Sequence, residues 1–156
     1  MALAARTIPD RTETYRAAPQ NVDAEQALLC AILVNNDAFY RVSDFLLPEH
    51  FFEPVHRSIY QVAGELIRAN KVASPVTIKT FLPAYLAIGD INLAQYVARL
   101  AAEATTILNA EDYGRSIYDL AIRRALIGAG EEMVNVAYDA PVDKSPHDQS
   151  EDTEKR

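Results

Sequence analysis

Tryptophan is absent from this chain of 156 residues, and glycine is scarce, with five in all. The strong helix formers Ala, Leu, Glu, Gln and Arg are abundant instead, which favours an all-α domain. The single cysteine, Cys30, excludes an internal disulfide and fits a reducing compartment. Its neighbours are apolar, so a small buried side chain is the plain expectation. No Gly-x-x-x-x-Gly-Lys-Ser/Thr occurs in the sequence, so no loop of that kind cradles nucleotide phosphates. No apolar run approaches the roughly 18 residues of a membrane span. Met1 to Ala5 is followed at once by Arg6, Asp10, Arg11 and Glu13, unlike a signal peptide. A cytoplasmic protein without a membrane partner is expected.

Positive charge is also in short supply. The formal net charge is -7, with +1 in residues 1–18, -5 in residues 19–138 and -3 in residues 139–156. Such a balance repels phosphate backbones, and within residues 19–138 Arg123-Arg124 is the paired basic candidate. What the chain has in plenty is apolar side chains, 49% of residues, enough for a real core at this length.

Residues 1–18 carry few large apolar side chains and read as a disordered arm. Asn21 is a good N-cap, Asp23 and Glu25 suit a helix start, and the first helix runs to about Val34. Leu28 with Ile32, and Leu29 with Leu33, lie four apart on adjacent faces, so this helix is expected at the centre of the core. Asn35-Asn36-Asp37 breaks it and caps a second helix with Phe39, Val42 and Phe45 inward. Leu47-Pro48-Glu49 restarts a short turn presenting Phe51 and Phe52. Pro54 opens a third helix with Val55, Ile59, Val62, Ala63, Leu66 and Ile67 inward, ending near Asn70. Pro75-Val76-Thr77 starts another, which Pro83 shortens or kinks.

Gly89 and Asn92 separate the next element, whose stripe is Leu93, Tyr96, Val97 and Leu100. A linker, Thr105-Thr106-Ile107-Leu108, leads to Asn109 and Asp112, a capping pair. The last long helix runs from Ala110 to about Tyr138 with Tyr113, Ile117, Leu120, Ala121, Ile127, Val134 and Ala137 as its stripe. Gly128 and Gly130 interrupt it at roughly 1 kcal/mol each relative to alanine, marking a break or a close approach. The last two elements suggest an antiparallel helical hairpin. Its outer apolar face either folds back on the first helices or pairs with a copy of itself. Pairing is favoured, giving a homodimer built partly from residues 93–138. From Asp139 the composition is that of a linker. Gln149 to Arg156 reads as a helix beginning without a core, as though the chain continued. The domain expected is therefore residues 19–138, with 139–156 the start of a linker.

Nothing in the letters forms a catalytic constellation. His50 and His56 flank Phe51-Phe52, but no further ligands complete a metal set, and cap or surface roles suit them better. Glu111-Asp112 and Glu131-Glu132 are adjacent, and adjacent helical residues do not face each other. Ser116, Thr105 and Thr106 have no base nearby in sequence. A small enzyme therefore has no supporting residues. A helix-turn-helix DNA-binding module, suggested by the helix pair around Pro48 and Pro54, is the alternative, and it lacks a basic recognition helix.

One resemblance covers residues 18–138. Asp23-Ala24-Glu25-Gln26-Ala27 with Ala31-Ile32-Leu33 forms its first block. Asp44-Phe45-Leu46 and Pro48-Glu49-His50-Phe51-Phe52, then His56-Arg57 and Ile59, form the second. Pro75-Val76-Thr77 is the third. The fourth is Tyr96-Val97-Ala98-Arg99-Leu100-Ala101, then Asn109, Tyr113, Ile117 and Leu126-Ile127. In order and spacing these resemble the N-terminal domain of the bacterial replicative DNA helicase DnaB. The chain departs from the pattern in three places: Cys30 stands for a usual glycine, Asn92-Leu93 for a Gly-Gly pair, and Pro83 interrupts a helix normally unbroken.

The resemblance implies a compact all-α head followed by a long antiparallel helical hairpin, acting as the non-catalytic collar of a helicase. It implies pairing of these domains, three pairs forming a collar, and docking of the primase C-terminal domain. A helicase loader is a further implied partner, and DNA is met mainly through a following ATPase domain. ATP and Mg belong to that domain, and no cofactor is expected in this fragment. Implied primase contacts are Asp23, Tyr96 and Ile127. Implied dimer contacts are Leu93, Val97, Leu100, Ile117, Leu120, Met133 and Val134.

Overall fold

A computed structural model describes residues 16–102, 109–140 and 145–155. The expected arm and the linker Thr105–Leu108 lie largely or wholly outside those residues. The described residues are predominantly helical, with one minimal β-hairpin.

Helix α1 (Val22–Val34) sits at the centre. Asn21 caps it, its Oδ1 accepting from the Ala24 amide at 2.9 Å. Its sequence is apolar almost all round, and α3, α5 and α6 pack against it from different sides. Leu28, Leu29 and Ile32 are fully enclosed as a result. Each contributes roughly 1.5–3 kcal/mol of burial. Cys30 is buried beside them.

The short α2 (Asp37–Tyr40) follows. Asn36, expected only to cap it, ties two segments together instead. Its Nδ2 donates to the carbonyls of Ile32 at 2.8 Å and Ala73 at 2.7 Å, and its Oδ1 accepts from the Ala73 amide at 3.0 Å. After a 3-10 turn (Pro48–His50), α3 (Pro54–Arg68) begins with proline in its first turn. It ends in a Schellman motif. Asn70 takes φ 55°, the Lys71 amide reaches back to the Leu66 carbonyl at 2.8 Å, and the Asn70 amide to that of Ile67 at 3.0 Å. The rings of Phe39 and Phe51 meet Tyr60 of α3 at a tilt, with centroids 5.5 and 4.8 Å away.

Helix α4 (Pro75–Phe81) stops two residues before Pro83, so the proline ends the helix. The hairpin of β1 (Ala87–Ile88) and β2 (Ile91–Asn92), turning on Gly89 at φ 58°, was not anticipated from sequence. At two residues a strand, it has no alternation to read. Asn92 then accepts from the Gln95 amide at 2.9 Å and starts α5 (Leu93–Ala102). The departure from Gly-Gly thus supplies a cap.

Helix α6 (Ala110–Asp139) has two unlike parts. Ala110, Gly114 and Ile117 are buried against the head. Beyond Arg124, Leu126, Ile127, Met133, Val134 and Tyr138 are exposed. Ile127, Val134 and Ala137 of the sequence stripe are exposed too, as an outer face left for a partner would be. Helix α7 (Pro146–Glu154) starts three residues earlier than expected, capped by Ser145, and contributes nothing to the core.

Candidate partner interface

Two polar ties set the shape of the surface that α1, α5 and α6 present. The first is buried. Glu25 projects from α1 toward the start of α3. One carboxylate oxygen accepts from the Phe52 amide at 2.5 Å, and the other accepts from the Glu53 amide at 3.3 Å and from His56 Nδ1 at 2.6 Å. A carboxylate accepting from Nδ1–H leaves Nε2 of a neutral ring as an acceptor. The Tyr96 hydroxyl of α5 lies 2.5 Å from that atom and donates to it. The rings of His56 and Tyr96 are stacked, 5.8 Å between centroids. Burial pushes the Tyr96 phenol up to about 12, against a smaller opposing effect of the Gln26 hydrogen bond. The hydroxyl therefore stays protonated as a donor.

Acid, imidazole and hydroxyl in this order resemble a nucleophilic relay, yet the chemistry does not follow. All three side chains are enclosed, and a phenol held above its usual range is a poor nucleophile. The chain instead satisfies the orphan amides at the start of α3 and joins α1, α3 and α5. The sequence reading missed it, placing Glu25 at a helix start and His56 at a cap or surface. The signal was spacing. Glu25 lies three and four residues before Leu28 and Leu29, and His56 three and four before Ile59 and Tyr60, so each sits on a core-facing stripe.

The second tie is Arg124, half of the basic pair. Its guanidinium donates to the Pro19 carbonyl and to the His50 carbonyl, each at 2.7 Å, and lies over the Phe52 ring. Burial lowers its pKa somewhat from the usual arginine value. Its charge thus serves the join between α6 and the head. Nearby, the Arg115 guanidinium sits 3.9 Å from the Phe45 ring centroid, and Tyr118 meets His50 and Phe45 edge-on.

The sequence-predicted contact residues fall into two groups. Leu93, Val97, Leu100 and Ile117, expected at a dimer interface, are at most 5% exposed. They pack inside the protomer because α5 and the first turns of α6 rest on α1, so their side chains offer no area to a second copy. Tyr96, expected at a primase contact, is likewise interior. Leu120 is half-buried. Asp23, Ile127, Met133 and Val134 are exposed. Arg124 holds Pro19, four residues before Asp23, beside α6 three residues before Ile127, so the start of α1 and the exposed stripe share one edge of the molecule.

That stripe is the largest run of exposed apolar side chains on one described element. A groove lies along it, lined by Leu126, Ile127, Met133 and Val134. Among the described residues no three of His, Cys, Asp and Glu gather as a metal ligand set, and no described helix is long and apolar enough to cross a membrane.

A family model described as the DnaB-like helicase N terminal domain matches residues 17–119. The replicative DNA helicase DnaB of Rickettsia felis is 42% identical over 139 residues, covering 89% of this chain and 28% of that protein. The chain thus spans under a third of the length of that relative. The crystal structure of the N-terminal domain of DnaB helicase from Mycobacterium tuberculosis superposes with a TM-score of 0.77 at 24% identity, over 89% of this chain and 96% of that one. The N-terminal domain of DnaB helicase from Helicobacter pylori, whose structure was determined together with its interactions with primase, gives 0.63 at 20% identity, over 74% and 90%. At these identities the two structures speak for the fold alone.

Proposed function

Because this chain belongs to the DnaB-like helicase N-terminal domain family, we propose that it is the non-catalytic collar of a replicative DNA helicase, pairing with a second copy and recruiting primase. The observation that carries this reading is the half-and-half construction of α6. Its first turns complete the head, and its remainder projects an apolar stripe that nothing in the chain's own core uses. Stripes of this kind are met by another helix. A second copy offers the same stripe, and a self-complementary face closes as a two-fold pair. The likeness to a domain studied for its interactions with primase supports the second half of the reading. In this reading Asp23 and Ile127, both exposed, touch that partner, with Tyr96 holding α5 beneath.

ATP hydrolysis and DNA unwinding belong, in this reading, to the remainder of the helicase. The parent's ATP, Mg and DNA contacts and its loader go with it, while three pairs of this domain form the collar. The test has two arms. Sedimentation equilibrium should find a dimer that Val134→Asp converts to a monomer without loss of helicity; a variant that stays dimeric places the interface elsewhere. Calorimetric titration with the primase C-terminal domain should show binding that Ile127→Asp and Asp23→Asn weaken. Binding unchanged in both variants moves the primase site off this edge.

A further inference from the structure

Helix α7 returns along the exposed half of α6, and the two enclose a groove of about 410 Å3. Leu126, Met133 and Val136 line one wall, and Gln149 and Thr153 the other. Gln149 and Thr153 lie one turn apart and are the half-buried residues of α7; none of its residues is fully buried. The match is chemically poor. Pro146–Glu154 holds no aliphatic side chain beyond its proline, so a mainly apolar wall, with Glu132 its one charged residue, is faced by an amide, a hydroxyl and the Asp152 carboxylate. The helix stands on local devices instead. Ser145 Oγ accepts from the Asp148 amide at 3.2 Å, and His147 pairs with Glu151 at 3.5 Å.

From these observations we propose that α7 is a displaceable strap: it covers the Leu126, Met133 and Val136 flank of the α6 stripe in a single copy and yields when α6 of a second copy docks. The proposal rests on the self-pairing reading above. Six residues separate Asp139 from Pro146, and so short a tether gives α7 an effective concentration on the order of millimolar at the stripe. A weak, polar contact therefore holds against solvent. It loses to a helix that buries apolar area on the same wall. The consequence is a raised concentration threshold for pairing.

The test compares three chains. One ends after Ala140; the core cluster reaches no further than Ile117, so this shorter chain keeps every core residue. The second is the full chain with Gln149→Leu and Thr153→Leu, which gives the strap an apolar face. The third is the unaltered full chain. By sedimentation equilibrium the shorter chain should pair about tenfold more tightly than the unaltered one, and the leucine variant about tenfold more weakly. In parallel, Val136→Cys is introduced into the short and full chains and its thiol labelling is timed below the pairing concentration. Labelling should be several-fold faster without α7. Equal labelling rates overturn the strap itself. Faster labelling with equal pairing overturns its competition with a second copy. Three monomeric chains overturn self-pairing and displacement together, while the labelling rates still report whether α7 covers α6.

Discussion

The hydroxyl of Tyr96 lies 2.5 Å from Nε2 of His56, whose Nδ1 is 2.6 Å from the Glu25 carboxylate. Three helices meet at these atoms, and each polar group has its partner inside the core. The pairing sets the first expectation. Tyr96→Phe keeps the ring and its stacking on His56 but leaves Nε2 buried without a donor. That loss costs about 1–3 kcal/mol. Urea unfolding should show it, with the slope against denaturant unchanged. A midpoint equal to that of the parent would mean that water replaces the hydroxyl and the relay contributes nothing. Reduced primase binding by any Tyr96 variant must accordingly be read beside its stability, because the side chain acts through α5.

Glycines in α6 should divide by position. A Cβ on Gly114 would stand 2.5 Å from Val42 Cγ1 and 3.3 Å from the Phe45 ring, at the seam between α6 and the head. Gly114→Ala must push Val42 or the helix aside, and should destabilise the fold by about 1–3 kcal/mol. At Gly130 nothing lies within 4 Å, so Gly130→Ala gains helix propensity, roughly 0.8–1 kcal/mol. Thermal unfolding at concentrations below pairing should separate the two substitutions in sign. If Gly130→Ala stabilises the monomer yet weakens pairing, the glycine marks the close approach of a second helix.

This contrast also shows what was legible in the letters. The apolar, capped run from Asn21 to Val34 announced a central helix, and Pro54, Asn70 and Pro83 marked helix ends where the structure has them. Periodicity alone could not separate the two parts of α6, because Ile117 and Val134 belong to similar stripes and differ only in whether α1 lies opposite. The same limit moved Leu93, Val97 and Leu100 from an expected interface into the core: an amphipathic face says that something covers it, not what. Glu25 and His56 were hidden by chemistry. A charged residue at a helix start has a ready local explanation, and its buried partner 31 residues away leaves no pattern along the chain. Asn36 and Arg124 are alike, since their partners are main-chain amides and carbonyls, which nearly every residue has.

Arg124 supplies the next expectation. Its two terminal nitrogens reach separate carbonyls, those of Pro19 and His50, which lysine cannot do with one ammonium. Arg124→Lys should lose roughly 1–2 kcal/mol. It should also quicken hydrogen exchange in the first turn of α1, whose approach is held by Pro19. A loss of stability without faster exchange there would place the effect at the His50 end of the clamp.

His50 gives the domain a pH dependence whose sign follows from its surroundings. Its Nδ1 accepts from the Leu47 amide at 2.9 Å and closes the 3-10 turn; a proton on that atom ends the bond. Burial holds its pKa below the ordinary 6.5, and the Arg124 cation adds to the effect while Glu49 opposes it. The unfolded chain, with this histidine near 6.5, therefore takes up its proton before the folded chain does. Stability from this site is complete above about pH 6.5 and declines as pH falls from there through the lower folded value. His50→Asn keeps an acceptor near Nδ1 and does not titrate. The difference in unfolding free energy between parent and His50→Asn should be flat from pH 8 to about 7 and then move against the parent as the solution is acidified. A difference that stays flat to pH 5 would show that the proton is accommodated on the folded turn. A difference moving in the parent's favour would mean that Glu49 outweighs burial and Arg124 at this site.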